Sequence, residues 1–326
     1  MIRHLIGLTA LILGASISAP TLAQPSRVAP AGSVEQRYFK GGPASVARST
    51  STGSCDRRGH LCDIWYPTDI SSGRARPVLV WANGTADAPV EPAVYDYLLS
   101  HIASWGFVVV ATRDPKTGYG DTILDSLDYL KKQASLPGNV LRDRVDFDRV
   151  GVGGHSQGAT GAINAMLKSG GRIQTTVAFQ LPSQVWCSPA DLCVLTKDLK
   201  AAKAGSIFYV GGTSDFIISP DRQWVGTKLN SLSAYYEATP NSLTKAKGLI
   251  KFANHNDILG KPACKSAVIG GGPLTCTLGV YGYLGLPTAW LAWQLQGDKA
   301  AGAAFKQKKG EFFNARAWDR QVSNVR

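Results

Sequence analysis

The stretch GHSQG at residues 154–158 decides how this chain folds. It stands directly after the apolar run of residues 150–153 and before the small residues of 159–163. This order predicts a strand, a sharp turn and a helix, with Ser156 at the apex of the turn. Such a turn strains the backbone of its central residue, and its glycines let strand and helix pass close together. The pattern therefore predicts that Ser156 is a nucleophile exposed at the edge of a sheet.

Strand-like and helix-like segments alternate on both sides of this turn. This alternation is typical of an α/β fold with a mostly parallel central sheet and helices on both faces. We expect residues 34–66 to supply an antiparallel edge to the sheet. Strands are predicted at 77–81, 107–111, 147–151, 176–179, 206–210 and 249–252, and helices at 93–104, 121–133 and 288–296.

The first residues have the pattern of an export signal. Residues 1–23 contain Arg3, then an apolar core, then small residues that suit signal-peptidase cleavage. The alternative is a membrane anchor, but the apolar run is shorter than the roughly 20 residues that a spanning helix needs. We therefore expect a signal peptide at 1–23, a flexible leader at 24–33, a single domain at 34–326, and a secreted or periplasmic protein without a membrane span.

Six cysteines fall into three close couples, and an oxidising compartment favours their pairing. Neighbours within a loop meet the short Cα separation of a disulfide most readily. The alternative, a metal cluster, lacks the ligand spacing of zinc sites, so we expect no structural metal. The predicted bridges join Cys55 to Cys62, Cys187 to Cys193, and Cys264 to Cys276.

The formal net charge of +12 raises the question of an anionic partner. Nucleic-acid grooves interleave basic residues with aromatic ones, and the chain has no such cluster. Part of the positive charge stands near the C-terminus, in residues 306–326. We interpret it as a solvated surface and expect no nucleic-acid partner.

A serine hydroxyl needs a base within hydrogen-bond reach and an acid that orients the base. The chain has five histidines, and in hydrolases with this type of turn the order along the chain is serine, acid, histidine. His4 belongs to the signal, His155 is adjacent to the serine, and His60 and His101 precede it. Elimination leaves His255, in a loop after an apolar strand, as the predicted base.

Two aspartates compete for the role of the acid. Asp215 follows the strand at 206–210 and is expected at the carboxyl edge of the sheet, where ligand-binding loops gather. Asp221 follows Pro220, a position where an aspartate often caps the next helix. The sequence favours Asp215 and keeps Asp221 as the alternative.

The oxyanion that forms when a serine attacks a carbonyl needs backbone N–H donors. One candidate is the amide of Gln157, directly after the nucleophile. The second is expected in the loop after the strand at 77–81, where Thr85 is favoured and Gly84 is the alternative. Trp186 stands in the loop after the strand at 176–179, and it is predicted either to form a wall of the substrate cleft or to belong to the core.

These residues together resemble the α/β-hydrolase superfamily over nearly all of the chain after residue 23. The chain is most similar to exported bacterial esterases of the cutinase-like, polyester-hydrolase and chlorophyllase-like branch. That branch shares the G-H-S-Q-G elbow at 154–158, a G-x-x-D turn at 212–215 and an A-x-H stretch at 253–255. Two departures are Ala159 in place of a glycine and residues 83–85 in place of a glycine-aromatic pair.

The resemblance implies hydrolysis of small or polymeric carboxylic esters through an acyl-enzyme, with no cofactor. Other acyl hydrolases, namely thioesterases, carbohydrate esterases and peptidases, use the same residues, so they remain alternatives. A non-catalytic binding protein on the same fold is a further one, because fold alone does not establish function.

Overall fold

A computed structural model describes residues 29–85, 92–222, 231–260 and 276–326. The described chain is organised around a nine-stranded sheet in the order β1-β2-β4-β3-β5-β6-β7-β8-β9. The strands are β1 Val46–Thr50, β2 Cys62–Pro67, β3 Arg76–Ala82, β4 Val108–Thr112, β5 Val145–His155, β6 Ile173–Phe179, β7 Ser206–Gly212, β8 Thr244–Ile250 and β9 Trp318–Ser323.

Strands β3 to β8 run parallel to one another, and antiparallel pairs close both edges of the sheet. At one edge β1 pairs with β2, and β2 pairs with β4. At the other edge β9 pairs with β8. Because the six central strands are parallel, their carboxyl ends meet along one edge, where the loops of the site lie. The predicted α/β-hydrolase architecture is confirmed.

Helices cover both faces of the sheet. One face packs against α3, α4, α5 and α6, and the other packs against α1, α2, α7 and α8. No helix in the described ranges is both long and apolar enough to cross a membrane. The helices are α1 Ser33–Phe39, α2 Asp96–Ser104, α3 Asp121–Gln133, α4 Gln157–Lys168, α5 Thr196–Lys200, α6 Leu232–Ala238, α7 Gly285–Leu291 and α8 Lys299–Ala303.

The period of two along a strand divides the apolar residues between two cores. In β3, Val78 and Val80 belong to the core under α3 and α4, whereas Leu79 and Trp81 belong to the core under α2 and α7. Both faces of this strand are therefore buried, as expected for the centre of a parallel sheet. The burial holds β3, and Asn83 directly after it, in a fixed position.

Several elements differ from the prediction in extent. The predicted edge at 34–66 contains β1 and β2, but its first residues form α1. The predicted last helix ends in a π-helical turn at Ala292–Gln296. Strand β8 begins at Thr244 rather than at Leu249, because Lys245 and Lys247 are buried in it and hide its apolar pattern.

Two of the three predicted disulfides are present, Cys55 to Cys62 and Cys187 to Cys193. Cys264 lies outside the described residues, so its pairing with Cys276 remains a prediction. The predicted signal peptide also lies outside them, as do residues 24–28 of the predicted leader.

Helix α1 is attached to the C-terminal part of the chain. The carboxylate of Glu311 accepts hydrogen bonds from the backbone N–H groups of Val34 and Glu35, over 3.0 and 2.5 Å. The side chain of Glu35 turns inward, is buried, and accepts a hydrogen bond from Trp318 Nε1 over 2.9 Å. Two carboxylates therefore lie at the start of α1, and that of Glu35 is buried.

Candidate active site

Ser156 lies at the turn between β5 and α4. Its backbone angles are φ 55° and ψ −124°, outside the regions that non-glycine residues favour. The amide of Ser156 donates a hydrogen bond to the carbonyl of Phe179 over 3.0 Å, which ties the turn to the neighbouring strand β6. The strain predicted from the G-x-S-x-G pattern is thus present, and it lifts the serine out of both regular elements.

Close backbone packing explains the two glycines of the turn. A Cβ added to Gly154 would lie 2.2 Å from the carbonyl oxygen of Gly158, and one added to Gly158 would lie 2.1 Å from that of Ala82. Both distances are far shorter than van der Waals contact, so any side chain would push β5, α4 and β3 apart. The glycines therefore hold the serine against the end of β3.

Ser156, His255 and Asp215 are brought together from three separate loops at the carboxyl edge of the sheet. His255 Nε2 lies 2.9 Å from Ser156 Oγ, and His255 Nδ1 lies 2.6 Å from Asp215 Oδ2. His255 follows β8 and Asp215 follows β7, and both side chains are buried. A carboxylate only accepts hydrogen bonds, so Nδ1 carries the proton and Nε2 presents its lone pair to the serine hydroxyl.

The competing acid, Asp221, lies in a different network. Its carboxylate pairs with the buried ammonium of Lys247 and with Arg320. Burial alone would raise the pKa of Asp221, but its hydrogen bond and charge interaction with Lys247 outweigh this and lower it. Asp221 is thus engaged with side chains of β8 and β9, and Asp215 is the acid in contact with His255.

Hydrogen bonds between the two loops set the distance between Asp215 and His255. The amide of Ser214 donates to the carbonyl of Ala253 over 3.0 Å, and the amide of Phe252 donates to Thr213 Oγ1 over 2.7 Å. Neighbours of the acid and of the base are therefore bonded directly to each other.

Asp257 anchors the loop after β8 that carries His255, here called the histidine loop, from the other side. Its Oδ2 accepts from the amide of Asn254, and its Oδ1 accepts from the amides of residues 277–279. The side chain of Asn254 in turn accepts from the amide of His255 over 2.8 Å. Sequence reasoning missed Asp257, although its place two residues after the histidine in an N-H-N-D stretch was visible.

Among the three candidate oxyanion donors, the amides of Thr85 and Gln157 remain open. In the part of the chain that the structure describes, neither N–H has a hydrogen-bond acceptor. Gln157 is the first residue of α4, so its amide has no partner within the helix. Both residues lie beside Ser156 in the same cavity.

Gly84 is not available for this role, which corrects the alternative drawn from the sequence. Its amide donates a hydrogen bond to Tyr95 Oη over 3.0 Å, away from the cavity. A donor already bonded to a buried hydroxyl cannot turn to a substrate without breaking that bond. Of the two candidates in the loop after β3, Gly84 and Thr85, Thr85 therefore remains.

A cavity of about 240 Å³ opens in front of Ser156. Trp186 lies at its rim with 54% of its surface exposed, and its Nε1 donates to the carbonyl of Ile217 over 3.0 Å. The alternative that Trp186 belongs to the core is therefore wrong. The cavity is lined by Thr85, Ser156, Gln157, Pro182, Trp186, Cys187, Leu192, Cys193 and Ile218.

A separate polar cluster, Asp56, His60 and Asp114, has potential metal-ligating atoms within 4.8 Å of one another. Its carboxylate oxygens already accept hydrogen bonds, from Thr112 and His60 on Asp56 and from Arg58 on Asp114, among others. These internal bonds account for the cluster as a structural support next to the Cys55–Cys62 disulfide.

Comparison with known proteins identifies the family. The sequence profile described as PETase, PET hydrolase-like, matches residues 21–188, just over half of the chain. The chain belongs to the PET hydrolase-like family. Membership agrees with the resemblance drawn from the elbow, and carboxylic-ester hydrolysis is the reaction class of this PET hydrolase-like chain.

Individual relatives agree with this assignment. The chain is 26% identical to Cutinase cut1 of Thermobifida fusca over 267 residues, which cover 78% of this chain and 74% of the cutinase. It is 26% identical to Cutinase 2 of Thermobifida cellulosilytica over 61% of this chain and 68% of that protein. A bis(hydroxyethyl) terephthalate hydrolase of Streptomyces coelicolor is 35% identical over 130 residues, 38% of this chain and 39% of the relative.

Proposed function

We propose that this PET hydrolase-like protein cleaves esters by a two-step acyl transfer, with Ser156 as nucleophile, His255 as base and Asp215 as the acid that orients the base. The hydrogen-bonded series from Asp215 through His255 to Ser156 carries this proposal. This arrangement supplies an activated hydroxyl at the cavity, since the Nε2 lone pair of His255 faces the serine proton.

In the first step, Ser156 Oγ attacks the ester carbonyl carbon while its proton passes to His255 Nε2. The carbonyl oxygen becomes an oxyanion and accepts hydrogen bonds from the amides of Thr85 and Gln157. When the tetrahedral intermediate collapses, the bond to the alcohol oxygen breaks. His255 gives its proton to the departing alcohol, and the acyl group remains on Ser156.

In the second step, a water molecule takes the place of the alcohol. His255 Nε2 removes a proton from the water as it attacks the acyl carbon, and the same two amides stabilise the second oxyanion. The carboxylic acid leaves, and Ser156 Oγ recovers its proton from His255. Asp215 holds the imidazole in the Nδ1–H form throughout both steps.

Exposed apolar side chains next to the cavity favour a polymeric ester as substrate. Val185, Trp186, Phe216 and Ile217 are each more than 40% exposed, and the Trp186–Ile217 hydrogen bond joins their two loops. A contiguous exposed apolar patch is typical of a binding surface. We assign these four residues, the apolar rim, to contact with an apolar polyester chain whose ester enters the cavity.

Export is part of the same proposal. It is supported by the signal-like composition of residues 1–23 and by the two disulfides, which persist in oxidising compartments. A polymer too large to enter a cell is also met outside the cytoplasm. The N-terminal sequence of the protein isolated from its host medium or periplasm should begin at Gln24.

Hydrolysis of p-nitrophenyl esters from acetyl to palmitoyl tests the reaction. We expect turnover by the wild type and its disappearance in Ser156→Ala, whereas Ser135→Ala, which changes an exposed serine outside the cavity, should match the wild type. Release of soluble acids from an aromatic polyester film tests the substrate class. Silence of the wild type across the whole panel would instead favour a binding protein.

A further inference from the structure

A buried chain of three hydrogen bonds links the loop after β3 to the histidine loop. The amide of Gly84 lies 3.0 Å from Tyr95 Oη, Tyr95 Oη lies 2.9 Å from His155 Nδ1, and His155 Nε2 lies 2.9 Å from the carbonyl oxygen of His255. Tyr95 and His155 are each 3% exposed. The mechanism proposed above uses neither side chain.

The two ends of this hydrogen-bond series determine where each of its protons lies. A backbone amide only donates and a carbonyl only accepts, so Gly84 donates to Tyr95, and His155 Nε2–H donates to His255. A neutral His155 then presents its Nδ1 lone pair, to which the Tyr95 hydroxyl donates. Each bond therefore has one direction, with Tyr95 Oη accepting from Gly84 and donating to His155, and reversing any bond would leave a buried group unsatisfied.

Both side chains keep these roles because neither ionises readily. Burial, and then the neighbouring His255, hold the pKa of His155 well below its ordinary value. Burial raises the pKa of Tyr95 above its ordinary range. The arrangement is therefore the same across the pH range in which an esterase works.

The hydrogen-bond series connects the two sides of the reacting centre. Gly84 is adjacent to Thr85, whose amide is the proposed oxyanion donor, and His255 is the proposed base. Aromatic packing supports the link, with ring centroids 5.0 Å apart between Trp81 and Tyr95 and 4.9 Å apart between His155 and His255. A shift of the Thr85 loop is thus coupled to a shift of the histidine.

We propose that Tyr95 and His155 are positioning residues that hold the Thr85 oxyanion donor and the His255 base at a fixed separation across Ser156. This inference rests on the proposed function. It assigns His155 a role in the elbow. Its ring points away from the cavity and fixes the position of the base that Ser156 requires. Tyr95 is the link that sequence patterns do not reveal, because it lies 60 residues from His155.

Removal of the Tyr95 hydroxyl tests the proposal. Tyr95→Phe keeps the ring but leaves the Gly84 amide and His155 Nδ1 without partners. We expect kcat to fall about 10- to 100-fold, as for a misplacement of reacting groups, with KM within about twofold of the wild type. Affinity for an alkyl boronic acid, which forms a tetrahedral adduct with the serine, should fall by a similar factor.

Tyr209→Phe is the matched control. It removes another fully buried tyrosine hydroxyl, bonded to Thr239 Oγ1 over 2.7 Å, away from the site. It should lower the thermal stability as Tyr95→Phe does, and leave kcat and boronate affinity unchanged. His155→Phe should reproduce the loss in Tyr95→Phe, and the double variant should be little worse than either, since the two residues act as one unit.

Equal kcat and boronate affinity in Tyr95→Phe and Tyr209→Phe would overturn the positioning role. If Tyr95→Phe does not fold, nitrogen NMR of the wild type decides: His155 should stay neutral with its proton on Nε2 from pH 5 to 9, and an Nδ1–H form or a titration in that range overturns the proposal. Failure of the proposed function gives a different result. In that case the wild type itself shows no turnover, and Ser156→Ala does not differ from it.

Discussion

The carboxamide of Gln157 joins the two candidate oxyanion donors, since its Nε2 donates to the Thr85 hydroxyl over 2.8 Å. Its Oε1 accepts from the amide of Gly118 over 3.2 Å. One buried side chain therefore connects the elbow, the loop after β3 and the turn before α3. Thr85 and Gln157 are thereby held next to each other at the cavity, as the proposal of two donors to one oxygen requires.

Loss of this link should lower kcat more than it changes KM. In Thr85→Val the side chain keeps its shape but cannot accept from Gln157, so we expect kcat to fall about 3- to 20-fold, in line with the loss of one hydrogen bond. Thr85→Ser retains the hydroxyl and should stay within about twofold of the wild type, given that a small change in packing costs little. Steady-state kinetics on p-nitrophenyl butyrate compares the two, and equal kcat values would argue against the link.

Substitution of the base and the acid should have unequal effects. His255→Gln removes the proton acceptor and should reduce kcat about 10⁴-fold or more, whereas Asp215→Asn, which disturbs the tautomer, should cost about 10³- to 10⁴-fold. Single-turnover release of p-nitrophenol measures both.

Asp221→Asn serves as the control for the acid. It breaks a buried ion pair with Lys247, so we expect a loss of stability of about 3 kcal/mol or more with kcat unchanged in the folded fraction. An activity loss in Asp221→Asn equal to that in Asp215→Asn would mean that the acid has been misassigned.

Trp186 should matter more for a polymer than for a small ester. Trp186→Ala removes the largest exposed side chain of the apolar rim, so we expect polyester-film hydrolysis to fall about tenfold, the loss of roughly 1.4 kcal/mol of apolar contact. Hydrolysis of p-nitrophenyl acetate should change less than threefold, because its short acyl group does not reach the rim. Trp105→Ala, which changes a tryptophan at the end of α2, is the control, and equal losses on both substrates would contradict the rim assignment.

The stability of the protein should decline as the pH rises from about 4.5 to about 7 because of Glu35. Burial raises the pKa of Glu35 to about 7, and the charge of Glu311 adds to this, against hydrogen bonds from Trp318 and Ala31. The folded state therefore binds a proton that the unfolded state releases near pH 4.5, so the stabilisation is complete below that pH and is lost as the pH rises through 7.

Glu35→Gln should remove this part of the pH dependence and be more stable than the wild type at pH 8, by about 1 to 3 kcal/mol at 1.36 kcal/mol per pKa unit. Urea unfolding at pH 5, 6.5 and 8 measures the difference. Glu237→Gln changes an exposed carboxylate, and its stability should depend on pH in the same way as that of the wild type. If the stability of Glu35→Gln also followed that of the wild type across these pH values, the proton uptake assigned to Glu35 would be wrong.

The sequence predicted those elements correctly whose structure depends on neighbouring residues. The elbow was readable because its glycines, its strain and its flanking elements lie within about a dozen residues, and the described backbone at Ser156 and Gly158 agrees. Helix α3 was predicted with its observed bounds, since its apolar stripe is regular and it begins after Gly120. Strand β8 was misplaced because Lys245 and Lys247 interrupt its apolar pattern, and the groups that stabilise these buried lysines lie outside the strand.

The sequence by itself determined the α/β-hydrolase class and the strained turn at Ser156, and it singled out His255 among five histidines as the candidate base, because backbone strain, apolar period and residue identity are encoded in short stretches. The tertiary structure alone decided which aspartate meets His255, that Gly84 donates to Tyr95 rather than into the cavity, and that Tyr95 and His155 tie the two active loops together. Those outcomes depend on hydrogen bonds between residues 11 to 100 positions apart, whose geometry exists only once the parallel strands have brought their carboxyl ends to one edge.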